Sequence, residues 1–228
     1  MTSVQAPLSS SPPGSRRELV SHPLFSRVYP AFAIGADLRG QAEHRRDLLA
    51  GLSGRVVEVG AGTGRNFRHY PASVSEVIAV EPEPRLRRWA EAEAAAVEAT
   101  VRVVDGVASH LPLEDGSCDV GVASLVLCSV ESPDQALAEL RRVIRPGGEL
   151  RFYEHVRSAQ LGLGLLQRLV DGLFWPSVGG GCHCSRDTLA SIERSGFVVG
   201  AYRRFRFKPS PLVGIWTSPH ILGLARRP

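Results

Sequence analysis

Val56-Val57-Glu58-Val59-Gly60-Ala61-Gly62-Thr63-Gly64 carries a β-branched apolar run straight into three glycines at alternate positions. Such a run, bounded by glycine, predicts a strand buried on both faces. The glycines let the backbone turn sharply and let a ligand lie on it without meeting a Cβ. A helical pattern resumes at Asn66, so the stretch reads as strand, loop and helix. The next apolar run, Val77-Ile78-Ala79-Val80, ends on Glu81-Pro82. A carboxylate there accepts hydrogen bonds from both ribose hydroxyls of a nucleoside held over the loop.

Two nucleoside cofactors suit a loop and an acid at this separation. A dinucleotide needs glycine at the sixth position of G-x-G-x-x-G, where a helix N-terminus approaches the pyrophosphate, and Arg65 stands there. NAD is therefore disfavoured. S-adenosylmethionine has no phosphate. Its methionine end is expected at Glu58 and the loop Gly60, Ala61, Gly62, Thr63 and Gly64, with Asn66, Pro82 and Ser124 as further contacts and Glu81 on the ribose.

Outward from this unit, short apolar runs alternate with helical patterns, which predicts a parallel sheet wrapped by helices. Strands are expected at 55–60, 77–81, 101–104, 118–124 and 148–154, and two closing strands near 197–207 and 220–225 complete seven. Helices are expected from Asn66 and over 85–97, 133–144 and 186–195. The one over 133–144 is best marked: Ser132 is a cap, Pro133 suits the first helical position, and Gly147-Gly148 follows the end. Leu137, Leu140, Val143 and Ile144 form its apolar stripe. Residues 1–18, containing SSSPPGS, read as a disordered tail, and 19–228 as one domain whose first part, 19–54, is a helical cap over the ligand cleft.

E-V-G-A-G-T-G, the acid at Glu81, L-P-L-E-D-G-S-C-D and the helix ending R-R-V-I-R-P-G-G together resemble class I S-adenosylmethionine-dependent methyltransferases over residues 55–154. H-P-L-F at 22–25, G-R-N-F with Tyr70-Pro71, L-V-L-C-S-V at 125–130, Y-E-H-V at 153–156 and P-H-I-L-G at 219–223 resemble the methyltransferase-like branch that includes mammalian thiol S-methyltransferases. The resemblance implies an α/β fold with a Rossmann-like, mostly parallel seven-stranded sheet and helices on both faces. It also implies S-adenosylmethionine as methyl donor and a small-molecule acceptor, a thiol among the candidates. Many relatives carry an acid at the position of Val107 or Ala108 against the adenine amine. Here the nearest acid is Asp105, so adenine recognition falls to the backbone of Val107 and Ala108. Mammalian members also have a hydrophobic N-terminal anchor, for which this sequence shows no counterpart.

Ligands of an open parallel sheet sit beyond the C-terminal strand ends, which selects Ser124, Leu125, Cys128 and Ser129 after one strand and Tyr153, Glu154 and His155 after the next. Methyl transfer from a sulfonium is an in-line displacement, so positioning and exclusion of water supply much of the rate. A thiol acceptor needs only to ionise, from an unperturbed pKa of about 8.5. His155 is the expected catalytic helper, because imidazole titrates in the right range, with a purely structural role left open. Cys128 reads as cleft wall or acceptor contact, and Cys118 as core. Cys182-His183-Cys184 invites a zinc reading, yet three consecutive residues do not readily supply three tetrahedral ligands, and no distant C-x-x-C completes the set. No metal is expected, and the run is read as a loop bordering the acceptor pocket.

The formal charge of +4 is small for 228 residues, and the arginines are spread along the chain. Arg203, Arg204, Arg206 and Lys208 alternate with apolar residues as the solvated face of a strand does. Without a concentrated basic stripe, an Asn/Asp-Pro-Pro-aromatic tetrad or a Pro-Cys nucleophile, nucleic acid is not an expected partner. No apolar run approaches the roughly 20 residues of a membrane span, and no secretory core is seen, so a cytoplasmic protein with reduced thiols is expected. Residues 161–175 read either as a helix packed on the sheet or as a peripheral membrane contact. Quinone or phospholipid N-, O- or C-methylation, and cofactor binding without catalysis, are alternatives that the cofactor motifs do not separate.

Overall fold

The computed structural model describes residues 23–211 and 213–228, so the tail expected over 1–18 lies outside the described residues. The chain enters through α1 (Pro23–Ala36) and α2 (Ala42–Leu49), joined by a wide turn, Asp37–Gln41, in which Gly40 takes φ +110°. α2 buries Arg45, Leu48 and Leu49 on one face. It leads into β1 (Gly54–Val59), β2 (Val74–Val80), α3 (Pro84–Ala94), β3 (Val101–Val104), β4 (Cys118–Ser124) and α4 (Pro133–Val143). β5 (Ile144–His155), α5 (Leu161–Leu173), the single turn α6 (Trp175–Val178), α7 (Thr188–Arg194), β6 (Val198–Arg206), α8 (Gly214–Thr217) and β7 (Pro219–Arg226) follow.

The strands form one sheet in the order β3-β2-β1-β4-β5-β7-β6. β1 pairs parallel with β2 on one side and β4 on the other, so the chain direction of winding reverses between β1 and β4 and opens a crevice at their C-terminal ends. β7 runs antiparallel to both β5 and β6, a direction that the sequence spacing had left undetermined.

Period-2 alternation divides the core. Val57 and Val59 face one layer with Ile78, Val80, Leu137, Leu140 and Phe152, while Val56 faces the other with Leu48, Leu49, Val77, Val122, Phe67 and Tyr153. Each fully buried leucine of these layers contributes about 1.5–3 kcal/mol. α4 is capped by Ser132, whose hydroxyl accepts the Gln135 N–H, and it buries Ala136, Leu137, Leu140 and Val143 as its stripe requires.

The helix expected from Asn66 is only one 3-10 turn, Phe67–His69. Tyr70 precedes Pro71 and is driven to extended backbone, which stops helix growth. α5 turns Gly164, Gln167 and Val170 inward, while Leu161, Leu165, Leu169 and Leu173 are 80%, 55%, 58% and 70% exposed. Its outward face is thus as apolar as its inward one. No helix among the described residues is long and apolar enough to cross a membrane.

Candidate active site

A cavity of about 900 Å³ lies at the crevice between β1 and β4, lined by Gly60, Gly62, Glu81, Pro82, Val107 and Ala108 of the residues expected from the sequence. Gly60 and Gly62 hold φ of +63° and +59°, and a Cβ on Gly60 would fall 2.4 Å from Val126 Cγ2. Glu81 crosses the loop: Oε2 accepts the Gly62 N–H at 2.7 Å and Oε1 the Glu83 N–H at 2.9 Å. Burial pushes its carboxyl up to about 7, against the pull of these two donors. Asp105 is turned away to Arg87, at 2.9 Å, whose guanidinium also donates to the Glu81 and Pro82 carbonyls at 2.8 and 3.2 Å. The displaced acid therefore supports the strand end through Arg87.

Glu58, Asn66 and Ser124 stand behind this wall, outside the cavity lining. Glu58 accepts from Asn66 Nδ2 at 2.8 Å and from the Tyr70 hydroxyl at 2.7 Å. Burial raises its carboxyl to about 7, with both hydrogen bonds opposing. Asn66 Oδ1 in turn accepts Arg45 Nη1 at 2.9 Å, and Arg45 also reaches Ser124 Oγ at 3.4 Å and Asp37 at 3.2 Å. Asp37 also accepts from Arg65 Nε at 2.6 Å, so the arginine at the sixth loop position fastens the α1–α2 turn to the glycine loop. Ala61, Thr63 and Gly64 complete that loop, and Thr63 Oγ1 is buried without a hydrogen-bond partner among the described residues.

A second cavity of about 320 Å³ shares Phe25, Tyr29, Leu125 and Ser129 with the first and adds Val28, Phe32, Cys128, His155, Trp175 and Cys182. The two chambers therefore meet at the end of β4, roofed by two aromatic residues of α1. Leu125, at the junction, has φ +59° and donates its N–H to the Tyr153 carbonyl at 2.7 Å. A bulky residue in this region is strained, and such strain is typical of functional positions.

Past Leu125 the chain folds around the carboxylate of Glu154, which is fully buried and accepts three consecutive N–H groups, from Val126, Leu127 and Cys128. Arg186 holds the same turn from the other side through the Leu127 and Val130 carbonyls, at 2.8 and 2.7 Å. The His183 N–H donates to the Cys128 carbonyl at 2.7 Å and brings Cys182 to Cys128 and His155. His183 and Cys184 point elsewhere, to the Gly181 carbonyl and to Asp171, so the three consecutive side chains do not converge. Cys182 is held well below the usual thiol range by its hydrogen-bond contact with Cys128, burial opposing and His155 assisting. Cys128 is pushed well up by the same contact and by its burial.

Tyr29, Arg45 and Arg186 were not singled out in the sequence, and of the residues that were, the backbone clamp of Glu154 and the meeting of Cys128 and His155 with Cys182 were not expected. Phe25 and Tyr29 had a usable signal, since residues four apart share a helix face, and their ring centroids lie 4.9 Å apart. The others depend on contacts between segments far apart in the chain.

The family model described as methyltransferase domain matches residues 57–152. Thiol S-methyltransferase TMT1B of Mus musculus is 38% identical over 182 residues, which cover 78% of this chain and 73% of that protein. The chain is a class I S-adenosylmethionine-dependent methyltransferase. It belongs to the branch that also holds thiol S-methyltransferase TMT1A of Homo sapiens, 33% identical over the same shares of the two chains, 78% and 73%. A solved S-adenosylmethionine-dependent methyltransferase of Thermotoga maritima has the same fold, with a TM-score of 0.66 at 22% identity over 90% of this chain and 98% of that one. As a methyltransferase of this family, the protein transfers a methyl group from S-adenosylmethionine.

Proposed function

We propose that this enzyme S-methylates small apolar thiols, with the cofactor in the larger chamber and the acceptor in the smaller. The observation that carries this reading is the meeting of the two chambers at Leu125 and Ser129, with His155 and two sulfurs on the wall of the smaller one. Residues 19–228 act as one methyltransferase domain, with 19–54 as its cap.

The orphaned Thr63 hydroxyl and the positive-φ glycines fit a ligand that lies directly on the loop. Gly60, Ala61, Gly62, Thr63 and Gly64 hold the methionine end, Glu81 and Pro82 the ribose, and the backbone of Val107 and Ala108 the adenine. Glu58, Asn66 and Ser124 act from behind by fixing Arg45 and the loop. When bound, S-adenosylmethionine supplies a methyl carbon activated by a sulfonium. Phe25 and Tyr29 exclude water above it, and Leu125 sets the line between the chambers. His155 helps the acceptor sulfur lose its proton, a smaller demand than an alcohol makes.

Size and lining favour this acceptor over the alternatives. A chamber of about 320 Å³ is at the lower end of small-molecule sites, too small to enclose a lipid quinone. Its mouth is flanked by Val28, Phe32 and Val178, all exposed, so an apolar thiol enters at little desolvation cost. The exposed leucines of α5, with Leu24 and Val28 of α1, support peripheral contact with a membrane surface. Four unpaired cysteines support a reducing, cytoplasmic setting.

The test is a matched acceptor series, in which an alkyl or aryl thiol and the corresponding alcohol, amine and quinone compete for methyl groups from S-adenosylmethionine. The thiol should react at least tenfold faster. Preference for an amine or a quinone over every thiol would sink the assignment.

A further inference from the structure

Cys128, His155 and Cys182 come from the turn after β4, the end of β5 and the loop after α6, and their ligating atoms lie within 4.8 Å of one another. The two sulfurs are 3.7 Å apart, and His155 Nδ1 lies 3.6 Å from Cys128 Sγ and 3.4 Å from Cys182 Sγ. A tetrahedral zinc ion, with bonds of about 2.3 Å to sulfur and about 2.0 Å to nitrogen, sets sulfur–sulfur edges at about 3.8 Å and sulfur–nitrogen edges at about 3.5 Å. The three atoms therefore already stand as one face of such a tetrahedron. All three residues line the smaller chamber, the one read above as the acceptor's.

Two sulfurs and an imidazole suit a thiophilic divalent ion, and three protein ligands with an open fourth position is the pattern of catalytic zinc. The ligands are also held from behind. Glu154 fixes the Cys128 backbone, the His183 N–H binds the Cys128 carbonyl, and Thr188 Oγ1 donates to the His155 carbonyl at 3.4 Å. Convergence from three distant segments explains why inspection of the Cys182-His183-Cys184 run alone gives no complete ligand set.

We propose that Cys128, His155 and Cys182 bind a zinc ion whose fourth position takes the acceptor sulfur as thiolate, an inference that rests on the thiol reading above. As the acceptor arrives its S–H bond breaks, the proton leaves to solvent and the sulfur bonds to the metal. The thiolate sulfur then attacks the methyl carbon: a sulfur–carbon bond forms, the methyl–sulfonium bond breaks, and its electron pair stays on the departing thioether. The methylated acceptor is a neutral thioether, a weaker ligand than the thiolate, and it leaves. No oxidation or reduction is involved. His155 thus assists by coordination and accepts no proton.

The experiment is elemental analysis of the reduced full chain followed by replacement of its metal with cobalt(II). The expected result is one zinc per chain and, after replacement, a sulfur-to-cobalt charge-transfer band with intense visible bands of tetrahedral cobalt. Those bands shift when an alkyl thiol is added and stay still with the matching alcohol. Cys182→Ala and His155→Ala each lower metal affinity at least a hundredfold, while Cys184→Ala retains the metal. A chain that takes up neither metal overturns the proposal, as do cobalt bands indifferent to thiols. Full-rate thiol methylation by chelator-stripped protein overturns the metal and leaves the thiol reading standing. Thiol-sensitive bands in a protein that methylates only amines do the reverse.

Discussion

Glu154 and Cys128 are joined through the backbone: Glu154 Oε2 accepts the Cys128 N–H at 3.2 Å, so the end of β5 sets the position of Cys128 on the wall of the smaller chamber. Glu154→Ala strands three buried N–H groups and should cost about 3 kcal/mol or more of stability. Glu154→Gln keeps one acceptor oxygen and should fold, with its defect in the acceptor KM and cofactor affinity little changed. Urea unfolding and initial-rate kinetics measure the two effects. An alanine variant as stable as the parent would remove the clamp.

Glu81→Ala should weaken S-adenosylmethionine binding by about 1.5–3 kcal/mol, the range for hydrogen bonds to a charged group. The carboxyl stands near pH 7 in the free protein. Ribose hydroxyls donate better to its ionised form, so binding favours loss of the proton and affinity should rise with pH through about 7, then level off. Calorimetry of the parent against Glu81→Gln gives the test. A difference between the two that is constant from acid to alkaline pH would exclude Glu81 as the titrating contact.

Gly62→Val should weaken cofactor binding more than tenfold. An added Cβ meets Tyr29 Cε1 at 3.2 Å, and φ +59° carries a penalty of about 1–2 kcal/mol for an L side chain. The roof helix is therefore pushed outward while the sheet stays intact. Unchanged affinity with a native circular-dichroism spectrum would contradict this.

Glu58→Gln should alter the pH dependence of stability. Burial raises the Glu58 carboxyl from its ordinary 4.5 to about 7, so the folded state holds this proton more tightly than the unfolded chain. Its stabilising contribution is complete below about 4.5 and is lost as pH rises through about 7, a change on the order of 3 kcal/mol. Glutamine can keep the link to Asn66 and does not titrate, so the variant's stability should fall less between pH 5 and 8, as read from denaturant midpoints. Parallel curves would show that Glu58 does not titrate there.

Replacing Leu165 and Leu169 together by glutamate should reduce flotation of the protein with lipid vesicles at least tenfold and leave thermal stability within about 0.5 kcal/mol, since both side chains are largely exposed. Parent protein that stays with the soluble fraction would end the idea of membrane contact.

What the sequence reveals about this protein divides along physical lines. Strand–loop–helix patterning depends on neighbouring residues, so β1, the glycine loop, Glu81 and α4 could be placed from local spacing. The acceptor side depends on pairs separated by 27 to 54 positions, such as Cys128 with His155 and with Cys182, and no local period reports them. The Asn66 helix failed for an identifiable reason: Pro71 lies five residues on, and Tyr70 before it must be extended. Glu58 and Asn66 were legible as important but not as buried partners of Tyr70 and Arg45, because a strand pattern gives the side of the sheet and not what covers it.

α1 contributes Phe25 and Tyr29 to the walls of both chambers, so a substitution at either residue alters both cavities at once. The turn at Asp37–Gln41 that ends α1 is tied to Arg45 and Arg65 through Asp37, so on the proposed chamber assignment the same ion pairs steady the wall of both ligands.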